Sequence, residues 1–149
     1  MSLFSRIPVD KKRIEAAITA LERQSSAELR VYIERKIPRT DQPLTGLQRA
    51  LQVFSQLEME KTQARNGVLI YLAYQDHQCS IIGDCGIDQF VSAQFWQTQC
   101  DDMIREFKQK KFTEGICLAI ARIGKELALH FPVRSDDQNE LSNEVIIND

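Results

Sequence analysis

The sequence has only two histidines, His77 and His130, and its four cysteines (Cys79, Cys85, Cys100 and Cys117) never fall in a CxxC spacing. That argues against a zinc finger and against a histidine-based zinc or catalytic centre. No glycine-rich phosphate loop and no GxSxG elbow occurs, so two common routes to nucleotide binding and serine hydrolysis are missing. Internal repeats are absent. Long apolar runs are missing too: the longest apolar stretch, Gly115 to Phe131, is interrupted by Arg122, Lys125 and Glu126, short of the roughly 20 apolar residues a membrane span needs. The N-terminal MSLFSRIPVDKKR has no apolar run of the signal-peptide kind. The expectation is a cytoplasmic protein whose cysteines are free thiols, mostly buried. Nor does one sign of charge dominate: 19 Lys and Arg face 21 Asp and Glu, a net −2. This disfavours nucleic-acid binding, and the one dense basic cluster, Lys108-Lys110-Lys111, suits a solvated helix end.

What is present reads as one ordinary domain of 149 residues, with 43% hydrophobic and 27% charged residues. Charge is uneven along it. Residues 134–149 hold Arg134 against Asp136, Asp137, Glu140, Glu144 and Asp149, an acidic tail on a slightly positive body, residues 1–133. The tail also carries Leu141 and the β-prone Val145-Ile146-Ile147, which a purely solvating tail would not need. Glu144–Ile147 is therefore expected to dock on the body as an added edge strand.

Hydrophobic periodicity sets out the elements. Asp10 is an N-cap for a helix carrying Ile14, Ala17, Ile18 and Leu21. In SSAELRVYIERK, Leu29, Val31 and Ile33 alternate with Glu28, Arg30, Tyr32 and Glu34, which predicts an edge strand with one wet face. After a proline-containing loop, Thr45 and Gln48 form a capping box. Leu47, Ala50, Leu51, Phe54 and Leu57 then make the stripe of a second helix. Val68 to Ala73 is apolar throughout, as a strand covered on both faces would be. A short turn, Gln75-Asp76-His77, leads back into QCSIIGD as an antiparallel partner. A helix with Trp96, Cys100, Met103, Ile104 and Phe107 follows, with Trp96 expected in the core. The last helix begins after Thr113, carries Ile116, Ile120, Ile123 and Leu127, and stops before Pro132, with His130 near its final carbonyls. The first two strands, joined by a helix, are expected to be parallel. The fold class is α/β, a small mixed sheet of three to four strands with helices on both faces.

This topology brings the starts of the first two strands and the end of the third to one sheet edge. Ser25, Ser26 and Glu28, then Arg65 and Asn66, then Gly83, Asp84 and Gly86 gather there. Carboxylates with hydroxyl and carbonyl oxygens suit Ca²⁺ or Mg²⁺, with Asp84 and Glu28 as ligands. Arg65, Asn66 and Ser26 are then the substrate contacts, Arg65 facing a phosphoryl charge. Simpler roles compete: Asp84 as a helix cap, Glu28 as a solvated residue of the edge strand, Arg65 as half of a surface ion pair. The opposite edge, with Asp41 and Asp76-His77, is the other possible location. Cys100 and Cys117 read as helix interior and lack the arginine spacing of a thiol phosphatase.

The segments SSAELRVYI (25–33), RNGVLIYLA (65–73), IIGDCGI (81–87), Trp96, FTEGICLAIARIG (112–124) and the closing HFP and NEL together resemble the TPM domain family in a short bacterial form. The resemblance implies a three-layer α/β/α sandwich. It also implies divalent-cation binding, as in some bacterial members, and phosphatase activity, as linked to plant members. The alternative expectation is a non-enzymatic module assisting assembly or quality control of other proteins, resting on the wet strand and the tail.

Overall fold

The computed structural model describes residues 9–133 and 141–148. Arg134, Asp136, Asp137, Glu140 and Asp149 of the acidic tail, and the N-terminal MSLFSRIP, lie outside the described residues. The chain runs through α1 (Lys11–Gln24), β1 (Glu28–Glu34), α2 (Gly46–Gln56), a 3₁₀ turn (Met59–Lys61), β2 (Gly67–Ala73), β3 (Gln78–Gly83), α3 (Cys85–Asp88), α4 (Ala93–Phe107), α5 (Phe112–His130) and β4 (Ile146–Asn148). The strands form one mixed sheet in the order β3-β2-β1-β4. β1 is parallel to both β2 and β4, and β2 and β3 are an antiparallel hairpin.

Two cores follow from the pleat, because alternate strand residues face opposite ways. Leu29, Val31, Ile33, Val68, Ile70 and Leu72 face α1, α4 and α5. Tyr32, Leu69, Tyr71 and Ala73 face Ala50, Val53, Phe54 and Met59. The result is the expected three layers. Local signals hold: Asp10 accepts a hydrogen bond from the Arg13 N–H, and the Thr45–Gln48 capping box is complete. Among the described residues no helix is long and apolar enough to cross a membrane. All four cysteines are free; Cys100 is buried and Cys85 exposed.

Four expectations need correction. β1 is neither an edge strand nor wet on one face: it lies between β2 and β4, and Glu28, Tyr32 and Glu34 are buried. Its polar alternation looked solvated because the groups covering it, from α2 and the tail, are distant in sequence. In α2 the buried stripe is Ala50, Val53 and Phe54 with Arg49, whereas Leu47 and Leu51 are 54% and 50% exposed. The helix is rotated so that Arg49 can reach Glu34. α5 starts at Phe112, and Thr113 instead accepts the Asp10 N–H at 2.9 Å. His130 pairs with Glu126 at 3.2 Å and stacks on Phe90 rather than on the final carbonyls. Trp96 is in the core as expected. The tail docks as a strand, with Ile146 and Ile147 paired to Tyr32 and Ile33 and Val145 fully buried.

Candidate functional site

The expected gathering at one sheet edge is present. Glu28 pairs with Gly67, and Val68 with Gly83, so Glu28, Asn66 and Asp84 all lie where β1 and β2 begin and β3 ends. The Asp84 N–H donates to the Gly67 carbonyl at 3.0 Å and continues the ladder into the turn. Asp84 then caps α3, with Oδ1 accepting the Cys85 N–H at 2.7 Å. Both carboxylate oxygens also accept from Arg65, Nε to Oδ2 at 2.8 Å and Nη2 to Oδ1 at 2.9 Å. This is the two-pronged geometry in which arginine holds a carboxylate most firmly. The hydrogen bond to Asp84 raises the pKa of Arg65 above its ordinary value, Asp84 charge adding to it.

Local backbone geometry sets up this pair. Arg65 adopts a left-handed conformation, φ 52°, uncommon for a residue with a Cβ. Its carbonyl is held by the Gly86 N–H at 2.9 Å. A Cβ on Gly86 would lie 2.3 Å from the Ala64 oxygen and 2.6 Å from the Arg65 oxygen. Only glycine allows the two turns to approach so closely, which is why the Asp84 loop carries a glycine two positions on.

Asn66 and Ser26 come together in a different role. The Asn66 side chain donates to the Ser26 carbonyl at 3.3 Å. The Ser26 N–H and the Ser25 hydroxyl both donate to the Phe131 carbonyl, at 2.8 and 2.7 Å. These contacts fasten the end of α5 to the start of β1. Glu28 accepts the Leu141 N–H on Oε1 at 2.9 Å, so its carboxylate helps hold the tail.

Glu22 belongs to the same region and was not anticipated. Burial, then the neighbouring Glu28 charge, raises its pKa to about 7, with partial relief from the Leu29 N–H and the Asn143 side chain. One further α1 carboxylate, Glu15, accepts the Val145 N–H at 3.0 Å, and the Asn143 amide donates to Thr19 Oγ1 at 3.3 Å. Glu15, Thr19 and Glu22 are spaced four and then three residues apart, so they share one helical face. That polar stripe is legible in the sequence; what covers it is not.

The opposite edge, the competing location, holds a closed network built on Glu34 rather than on Asp41 and Asp76. Glu34, 3% exposed, accepts from Arg49, 8% exposed, at 2.8 Å from Nε and 3.0 Å from Nη2. Tyr71 Oη and Asn148 Nδ2 donate to the same carboxylate. Burial and then the bond to Glu34 push the Tyr71 pKa upward, while the bond to Glu34 also raises that of Arg49. Asp76 is used in the loop, its Oδ2 accepting the Ile37 N–H at 2.7 Å. Asp41 is exposed, and no group of three or more His, Cys, Asp or Glu close enough to hold a metal occurs among the described residues.

Comparison with known proteins agrees with this architecture. The family model for the TPM domain matches residues 4–126. The BA42 protein of the psychrophilic bacterium Bizionia argentinensis is 35% identical, with a TM-score of 0.85 over 99% of this chain and 100% of that one. The N-terminal domains of a P. gingivalis protein and of cg2496 from Corynebacterium glutamicum share the fold. Their identities are 17% and 14% and their TM-scores 0.65 and 0.55, over 89% and 87% of this chain and 83% and 77% of theirs. No curated protein matches the chain significantly.

Proposed function

The chain belongs to the TPM domain family, and from that premise we propose that it binds a divalent cation, Ca²⁺ or Mg²⁺, at the Asp84 edge of the sheet in exchange for Arg65. The observation that carries this reading is the asymmetry of the Asp84–Arg65 pair. The Asp84 side chain is 6% exposed whereas that of Arg65 is 47% exposed, so the acid is anchored and the base faces water. Hard carboxylate oxygens fit a hard cation. In number and occupancy the donors fall short: both Asp84 oxygens are taken by Arg65, and Glu28 is engaged with the tail. Binding therefore requires Arg65 to swing out and is weak, with a dissociation constant on the order of 1 mM, the range of loosely built calcium sites.

Titration of the labelled protein with CaCl₂ and MgCl₂, followed by amide chemical shifts, tests this. The Asp84 to Ile87 resonances should move saturably, Asp84→Ala should abolish the movement, and Arg65→Gln should tighten binding by removing the competing cation. If those resonances stay still in both the native protein and Arg65→Gln, the site does not exist.

Phosphate-ester hydrolysis extends the reading. It rests on Arg65, whose guanidinium fork matches a phosphoryl oxygen pair once released from Asp84. Turnover of an aryl phosphate, lost in Asp84→Ala and with chelator, would support it; turnover unaffected by Asp84→Ala would remove it. A partner strand added at β1 is not proposed, because β4 already lies along Tyr32–Glu34.

A further inference from the structure

At the other end of the sheet from Asp84, a pocket of about 110 Å³ opens between the β2–β3 hairpin and the junction of α4 with α5. Its interior is apolar. Leu72, Cys79 and Ile104 line it, with Phe107 and Phe112, whose rings stack at 5.1 Å and 21°. Its rim carries one fixed cation, Lys108, beside the His77 imidazole. His77, at the hairpin turn, and Lys108, at the end of α4, both line the pocket and are both exposed. Among the described residues Lys108 makes no ion pair with an acid and His77 no side-chain hydrogen bond. Tyr74 also lines the pocket, and its hydroxyl is buried without a partner among the described residues.

We propose that this pocket binds a small aromatic carboxylate, with the ring in the apolar interior and the carboxylate at the His77–Lys108 rim. Three features select that class. The volume is well below the roughly 300–1,000 Å³ of sites for drug-sized ligands, and near the ~150 Å³ of a cavity that accepts benzene. A single ring is therefore the largest body that enters. The stacked Phe107 and Phe112 rings offer an aromatic wall, against which another ring packs favourably. The unpaired Lys108 ammonium supplies charge complementarity at the opening and excludes cationic ligands. The position, at the carboxyl ends of the parallel strands β1 and β2, is also where open α/β sheets commonly hold ligands. The site shares no residue with the Asp84 edge, so its fate does not depend on the cation reading.

The probe is sodium benzoate, with benzyl alcohol as the neutral comparison, followed by amide shifts of the labelled protein. Benzoate should shift Leu72, Cys79 and Phe107 saturably, with a dissociation constant on the order of 1 mM. Lys108→Glu, at an exposed position, should weaken benzoate about tenfold, the worth of one charge-assisted contact, and leave benzyl alcohol unchanged. Ile104→Phe, which fills the interior, should abolish binding of both; Cys79→Met serves the same purpose if that variant loses its native melting transition. Absence of benzoate-induced shifts, or benzoate binding unaltered by Lys108→Glu or by filling the interior, overturns the proposal.

Discussion

Two arginine–carboxylate pairs stand at opposite ends of one sheet, each two-pronged and each with donor–acceptor distances near those of a charge-assisted bond. Glu34–Arg49 is buried on both sides, 3% and 8% exposed, and is closed by Tyr71 and Asn148. Asp84–Arg65 buries only its acid. The difference is one of reversibility. Removing charge from water is costly, so a buried pair persists only while every partner is in place. A pair whose cation is half in water can trade that cation for another one arriving from solvent, so the buried acid stays compensated. The first pair therefore reads as architecture that joins α2, β2 and the tail to β1, and the second as a place where a ligand can compete.

The largest expected effect tests the architectural pair. Arg49→Met leaves Glu34 buried without its cation and should cost about 3–5 kcal/mol of unfolding free energy by urea denaturation. Adding Glu34→Leu should recover part of that loss, since two apolar groups need no partner. A loss no larger than that of a surface substitution would mean the two pairs do not differ as described.

Next comes Gly86→Ala. The added Cβ must push the Ala64 and Arg65 carbonyls away, an overpacking cost of about 1–3 kcal/mol. It should also disturb the Asp84–Arg65 geometry, seen as altered amide shifts at Arg65 and Cys85.

A third prediction concerns pH. The pKa of Glu22 in the folded protein is about 7, against an ordinary 4.5, so the folded state holds this proton more tightly than the unfolded chain. Its stabilising contribution is complete below pH 4.5 and is lost as pH rises through 7. Glu22→Gln should match the native protein near the lower pH and exceed it above the higher by about 1–2 kcal/mol, allowing for partial screening by solvent. Melting temperatures across that window should converge at the acid end; parallel curves would contradict the assignment.

Smallest of all is Arg65→Gln. The guanidinium is half in water and Asp84 keeps the Cys85 N–H, so its loss should lower the melting temperature, but by less than Arg49→Met does. Equal effects would erase the comparison.

Much of the fold was legible from residues alone. Asp10, the Thr45–Gln48 box, the apolar run Val68–Ala73 and the short turn before Gln78 each encode their element through nearest neighbours. The relation of Asp84 to Arg65 was legible because strand directions follow from connection lengths: a helix between β1 and β2, three residues between the hairpin predictions. The acids at Glu22, Glu28 and Glu34 were not legible in the same way. Alternation identifies a strand and its two faces. It does not say what covers the second face, and a buried glutamate looks identical to a solvated one until its partner is placed.

The sequence by itself determined the order and type of the main helices and strands, the parallel β1–β2 and antiparallel β2–β3 pairings, the Asp84 cap and the strand-forming tail, because each depends on local patterning or on chain reach. Tertiary structure alone decided that β1 is interior, that Arg49 turns inward while Leu47 and Leu51 turn out, and that Glu28 of β1 holds Leu141 while Glu22 and Glu15 of α1 hold Asn143 and Val145. Burial of a charge is set by partners 15, 37 and 114 residues away, as for Glu34 with Arg49, Tyr71 and Asn148. Such pairings are settled by the packing of whole layers, in which desolvation and hydrogen bonding are balanced together.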